Sequence, residues 1–255
     1  MSELVSVSKK GGVATVMMNN PPMNVLSQQV VHELDVVFDQ LESDEDVVTI
    51  ILTGEGDRAF MAGADIKEFL SDSPNQQDKD IHGIFNKIES IPKPTIALLN
   101  GFTLGGGLEL ALTCDIRIAE EHAQIGLPEV NLGLLPGGGG TQRLPREIGK
   151  AKAKELMFTG EPLSAEDACE LGIVNQVVKK SAGKEAAEQL AQKIAAKSLQ
   201  SLSRMKDLIN KTEQLSLTDG LKEEKVAFKE IFATEDSQEG IKAFLEKRKP
   251  KFKHR

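Results

Sequence analysis

A chain of 255 residues can enclose a large apolar core, and its two cysteines, Cys114 and Cys169, are too few for a disulfide framework and predict buried thiols in a reducing compartment. A net charge of -8 opposes nonspecific attraction to nucleic acid or an anionic membrane, and ten Phe with no Trp or Tyr leave few base-stacking or membrane-belt side chains. No run approaches the ~20 apolar residues of a membrane span, and the opening MSELVSVSKKGG has no apolar stretch of the kind a secretion signal needs, so the expected location is the cytoplasm.

In chain order, alternating apolar residues at 4–7 and 13–18 around Gly11 and Gly12 predict a hairpin. Ser27 then caps a helix whose apolar positions, Val30, Val31, Leu34, Val37, Phe38 and Leu41, share one face, while the other face is acidic. Residues 47–52 form a continuous β-branched run, the pattern of a strand buried on both faces. A polar loop with turn formers at 71–80 leads to a short helix at 81–88, stopped before Pro92 and Pro94. A buried strand at 95–99 runs through Asn100 and Gly101 to three glycines at 105–107 and a helical segment at 108–112. This strand, glycine turn and helix recur more weakly: 116–119 and 124–127 are strand-like, and the turn at 136–140 opens a helix at Thr141. Helices follow at 151–158 and at 164–171, the second with Ser164 and Asp167 as a capping box, and the last strand at 173–178. Beyond it the pattern is helical only, near 184–196, 198–211, 217–232 and 237–248. The change in composition divides a core of 1–195 from a helical region of 196–255 too small to bury itself, which predicts packing on the core or on another subunit.

Two carboxylates stand out. Glu109 is flanked by apolar side chains just past the glycine turn, a costly position unless it caps a helix start or performs chemistry. Glu129 follows Pro128 at a strand end, where loops present side chains to ligands and where an exposed carboxylate is equally ordinary. Together they offer an acid and a base, although spacing alone does not bring them together. The glycines at 105–107 and the segment 60–65 each can turn bare N–H groups toward an anion, or simply allow tight packing. Residues 101–105 lack dinucleotide-fingerprint spacing, and 136–141 lacks the Lys of a phosphate loop. His32, His82, His122 and His254 have no metal-ligand spacing, and no GxSxG elbow occurs.

Taken together, FMAGADIKE at 60–68, NGFTLGGGLELA at 100–111, CD at 114–115, PE at 128–129 and LPGGGGTQRL at 135–144 resemble the crotonase superfamily, the enoyl-CoA hydratase/isomerase family, across nearly the whole chain. The resemblance implies an α/β spiral of repeated ββα units, a C-terminal helical trimerisation region, and a homo-oligomer, trimer or hexamer. By matching motifs it puts the N–H groups of Ala64 and Gly106 in an oxyanion hole and makes Glu109 and Glu129 the catalytic carboxylates. It further implies that Ala62, Ala64, Asp65, Ile66 and Lys67, with Gly106, bind the acyl-CoA thioester. The tail EKRKPKFK at 246–253 would place Lys247 at a coenzyme A phosphate of a neighbouring subunit.

The activity implied is hydration of a trans-2-enoyl-CoA to a 3-hydroxyacyl-CoA, in which Glu109 activates water and Glu129 protonates the α-carbon. No metal or redox cofactor enters, and β-oxidation is one metabolic setting. A Δ3,Δ2-enoyl-CoA isomerase is the alternative, since it needs one of the two carboxylates. A crotonase-like RNA-binding role would use a lysine-rich first helix, whereas the helix beginning at Ser27 carries Glu33, Asp35, Asp39 and Glu42 and no lysine.

Overall fold

The computed structural model describes residues 3–69 and 81–254, with the side chains of Lys67 and Phe69 outside that description, as is the polar loop expected at 71–80. The chain opens with antiparallel strands β1 (Val5–Lys10) and β2 (Val13–Met18), turning at Gly11 and Gly12 as expected. Helix α1 (Gln28–Ser43) begins where the Ser27 hydroxyl accepts the Val30 N–H, and its expected apolar stripe is buried. Strands β3 (Thr49–Gly54) and β4 (Ala59–Ala62) precede α2 (Ile66–Phe69) and α3 (Ile81–Ser90). Then come β5 (Thr95–Leu99), β6 (Phe102–Leu104) and α4 (Gly106–Ala111), followed by β7 (Ile116–Glu120), β8 (Gln124–Gly126), a 3-10 turn at Glu129–Leu132, α5 (Gly140–Ile148) and α6 (Lys150–Thr159). The chain ends with β9 (Leu163–Ser164), α7 (Ala165–Glu170), β10 (Gln176–Val178), and helices α8 (Gly183–Ala195), α9 (Leu199–Asn210), α10 (Leu217–Phe232) and α11 (Glu235–Leu245).

The strands form two sheets, ordered β1-β2-β3-β5-β7-β10 and β4-β6-β8-β9. Successive units each give their first strand to the larger sheet and their second to the smaller: β3 then β4, β5 then β6, β7 then β8. This is the repeated ββα spiral in an α/β fold. Of the smaller sheet only β8 was expected, within 124–127, because strands two to four residues long are too short for a period-2 pattern to show. Residues 60–65 and 101–105, read as turns, supply two of them.

Alternation along the central strands explains the layers. Ile50, Leu52, Ala97 and Leu99 face one core with Val30, Leu34 and Phe38 of α1 and Ile84, Phe85 and Ile88 of α3. Ile51, Ile96 and Leu98 face the opposite way, onto Ala187 and Ala191 of α8. Each fully buried side chain of this kind contributes about 1.5–3 kcal/mol. At the edge of the larger sheet Asn100 joins β3 to the β5–β6 corner: its amide donates to the Gly54 and Gly56 carbonyls at 2.8 and 2.7 Å. That corner directs the chain into β6 and the glycine turn.

Candidate active site

Glu109 lies in α4 and is 3% exposed. The helix can approach β4 because a Cβ on Gly107 would lie 2.0 Å from the Met61 carbonyl oxygen, a space only glycine leaves open. The carboxylate does not cap its own helix. Its Oε1 accepts the N–H groups of Gly138 and Gly140, both at 2.7 Å, from the turn that opens α5. Oε2 accepts no hydrogen bond from the described residues and is the oxygen left for chemistry. Burial pushes the Glu109 carboxyl above the usual carboxylate range, opposed by those two N–H bonds and by the charges of Arg143 and His82.

Glu129 begins the 3-10 turn after β8, so the strand end places it one short step past the smaller sheet. Its side chain folds back over the glycine turn: Oε1 would lie 2.9 Å from a Cβ at Gly105, which itself holds φ +54° as the residue before α4. Oε2 is buried with no partner among the described residues. Burial pushes this carboxyl up to about 7, and the charge of Glu109 adds to the effect. The structure therefore brings together two carboxylates 20 residues apart in sequence, one held by two N–H donors and one with its carboxyl pushed up to about 7.

The two expected N–H donors also meet. Ala62 pairs with Leu104 at the parallel ends of β4 and β6, so the residues that follow, Gly63 with Gly105 and Ala64 with Gly106, leave the sheet side by side. A Cβ on Gly106 would sit 3.9 Å from the Ala64 nitrogen. The Ala64 segment is held from its other side, where Leu26 donates to the Gly63 carbonyl at 2.8 Å and accepts the Asp65 N–H at 3.0 Å. Neither the Ala64 nor the Gly106 N–H donates to a carbonyl among the described residues. Two unspent N–H groups beside two carboxylates form a place for one carbonyl oxygen.

The remaining expected residues divide by location. Ala62 ends β4 with its N–H on the Met23 carbonyl at 3.1 Å, while Asp65 accepts the Glu68 N–H and leads into α2. Ile66 is half-exposed, whereas the Lys67 side chain lies outside the described residues. Lys247 sits just past α11, exposed and at φ +53°, and shares no bond with the carboxylates among the described residues.

Sequence reasoning took 136–140 only as a turn and passed over Gly138, Gly140 and Arg143. A run of glycines at a helix start is a signal for N–H donors, and here they serve Glu109. Arg143 had no comparable signal, because its partners stand 54 and 57 residues away on α3.

Residues 8–255 match the family model described as Enoyl-CoA hydratase/isomerase. A probable enoyl-CoA hydratase of Bacillus subtilis is 48% identical over 98% of this chain and 98% of its own. The short-chain-enoyl-CoA hydratase of Clostridium acetobutylicum is 42% identical over 96% of this chain and 95% of its own. Among solved structures, an enoyl-CoA hydratase from Bacillus anthracis superposes with a TM-score of 0.95 at 40% identity, covering 99% of this chain and 100% of that one.

Proposed function

The chain belongs to the enoyl-CoA hydratase/isomerase family, and from that premise we infer that it catalyses the reversible addition of water to a trans-2-enoyl-CoA, giving a 3-hydroxyacyl-CoA. One observation carries this reading: Glu109 and Glu129 converge in unequal environments, the first bound by two N–H groups and the second with a buried, unpartnered oxygen. Hydration needs that asymmetry, a base for water and an acid for the α-carbon.

The thioester oxygen is bound by the Ala64 and Gly106 N–H groups, which favour the enolate-like charge that develops as the β-carbon becomes electrophilic. Glu109, through its free Oε2, takes the proton from water as the water's oxygen bonds to the β-carbon. Glu129 delivers its proton to the α-carbon, and the reverse order gives dehydration. N–H dipoles polarise the carbonyl and two carboxyls move the protons, so the reaction calls for no metal or redox cofactor. Ala62, Asp65, Ile66 and Lys67 flank the coenzyme A moiety in this reading, with Lys247 of a neighbouring subunit at a phosphate. The working unit is a homotrimer or hexamer in the cytoplasm, built as a core of 1–195 with 196–255 serving assembly, and the pathway is acyl-CoA metabolism such as β-oxidation. Among the described residues no helix is long and apolar enough to cross a membrane.

The test is loss of conjugated enoyl-thioester absorbance on adding crotonyl-CoA and longer enoyl-CoAs, read beside isomerisation of a 3-enoyl-CoA. Glu109→Gln and Glu129→Gln are each expected to lower hydration by about 10²–10⁴-fold with thioester binding retained. Full hydration in either variant removes that residue from the mechanism. Turnover of the 3-enoyl-CoA alone would make the chain an isomerase, which needs one carboxylate.

A further inference from the structure

We propose that Arg143 is a positioning residue for the Glu109 carboxylate, acting by clamping the glycine turn before α5 to helix α3.

Arg143 stands in the first turn of α5, where a cation meets the positive end of the helix dipole and is out of place. Its side chain is nonetheless only 12% exposed and spends its donors inward. Nη1 donates to the Gly138 carbonyl at 3.1 Å, Nη2 to Glu89 and Asn86 at 2.8 Å each, and Nε to Glu89 at 3.2 Å. The guanidinium lies so close over the turn that a Cβ on Gly139 would meet Nη1 at 2.2 Å. A planar fork thus ties one carbonyl of the turn to two side chains of α3, a geometry lysine does not reproduce.

The consequence falls on Glu109. Gly138, whose carbonyl Arg143 holds, and Gly140 are the two residues whose N–H groups bind Oε1. Glycine peptides rotate freely, so an unclamped turn would let both donors swing and the carboxylate with them. Phe85, also on α3, lies 2.9 Å from the Cβ position of Gly138, so the helix that anchors Arg143 also walls the turn. The titratable groups around Glu109 are Arg143 from α5 and His82 from α3, both favouring its ionised form, and Glu129 from the 3-10 turn, which feels the Glu109 charge, with Glu89 neutralising part of the Arg143 charge. Arg143 therefore orients Glu109 and favours its ionised form.

This inference rests on Glu109 acting as the base, and the experiment separates the two. Steady-state kinetics across pH with crotonyl-CoA would be compared for the wild type, Arg143→Met, Arg143→Lys, Glu89→Gln and Glu109→Gln. Arg143→Met is expected to lower kcat on the order of a hundredfold, the scale of a small misplacement, with KM within about threefold. The acidic limb of kcat/KM should move to higher pH, because Glu109 loses a stabilising cation. Arg143→Lys should restore the limb but only part of kcat, and Glu89→Gln should fall between wild type and Arg143→Met. If Arg143→Met keeps wild-type kcat and limb while Glu109→Gln is inactive, the positioning role is wrong and the base assignment stands. A kcat loss with an unmoved limb, or one following a lowered unfolding temperature and unrelieved by lysine, would mark a structural arginine and overturn the proposal. Full activity in Glu109→Gln would remove the base assignment and the positioning role together.

Discussion

Burial raises the carboxyls of both Glu109 and Glu129, and the two differ in the donors that oppose it. Two N–H groups offset burial at Glu109, whereas at Glu129 only its own backbone N–H does so, Oε2 is buried without a partner among the described residues, and the carboxyl is pushed up to about 7. In the proposed mechanism Glu129 donates a proton, so hydration should decline as pH rises through about 7, a limb absent from Glu129→Gln. The same shift has a stability consequence of definite sign. A carboxyl at 4.5 when unfolded and about 7 when folded stabilises the fold fully below the lower value, and that contribution is lost as pH rises through the upper one. Glutamine needs no proton to be neutral, so Glu129→Gln should gain on wild type as pH rises from 4 to 8, by about 1–2 kcal/mol once solvent screening of a partly exposed carboxyl is allowed for. Denaturant unfolding at pH 4 and pH 8 checks this. A gain equal at both values would show that Glu129 is not held neutral by the fold.

At the scale of elements, the first two residues of α4, Gly106 and Gly107, do different work, and substitution should distinguish them. Gly106 is the first residue of α4, a position that accepts proline, and the tightest contact of a Cβ there is the end of the Leu26 side chain, at 3.3 Å. Gly106→Pro should keep the fold and remove one carbonyl donor, lowering turnover by about 10²–10³-fold. Gly107→Ala puts a methyl into the Met61 backbone and should instead destabilise by about 1–3 kcal/mol as α4 shifts off β4. Unfolding midpoints and turnover measured on both variants separate these effects; a Gly106→Pro enzyme of wild-type rate would place the donor elsewhere. The sequence made the two carboxylates and this turn legible because a charge among apolar neighbours and a glycine run are local signals. The larger sheet was legible for the same reason, each buried strand being a continuous apolar run. The smaller sheet was legible only at β8, since β4 and β6 take their form from register with their neighbours, and the Arg143 clamp was not legible, because its partners come from a distant helix.

For the whole molecule, the C-terminal helices pose a problem of burial that one chain does not solve. Across α9, α10 and α11 the buried residues are Lys206, Ala227, Asp236 and Ala243, two of them charged. Leu217, Phe228, Phe244 and Leu245 are each at least two-thirds exposed, and Phe232 and Leu221 more than half. What holds the region to this chain is largely polar. Lys206 pairs with Asp115 at 2.9 Å, and buried Asp236 accepts the N–H groups of Lys253 and His254 so that the His254 ring accepts the Leu199 N–H at the start of α9. A helical layer so fastened, with its large apolar side chains outward, supports the proposed assembly of several copies through this face. Deleting residues 235–255 removes α11 and the tail that ties it to α9, and should shift the particle in sedimentation from an oligomer toward a monomer. Because Glu109, Glu129, Ala64 and Gly106 all lie outside the deleted segment, the truncated protein should retain the proposed catalytic groups, and any loss of crotonyl-CoA turnover should appear mainly in KM if Lys247 reaches coenzyme A across a subunit boundary. An unchanged particle size would show that these helices do not hold the assembly together.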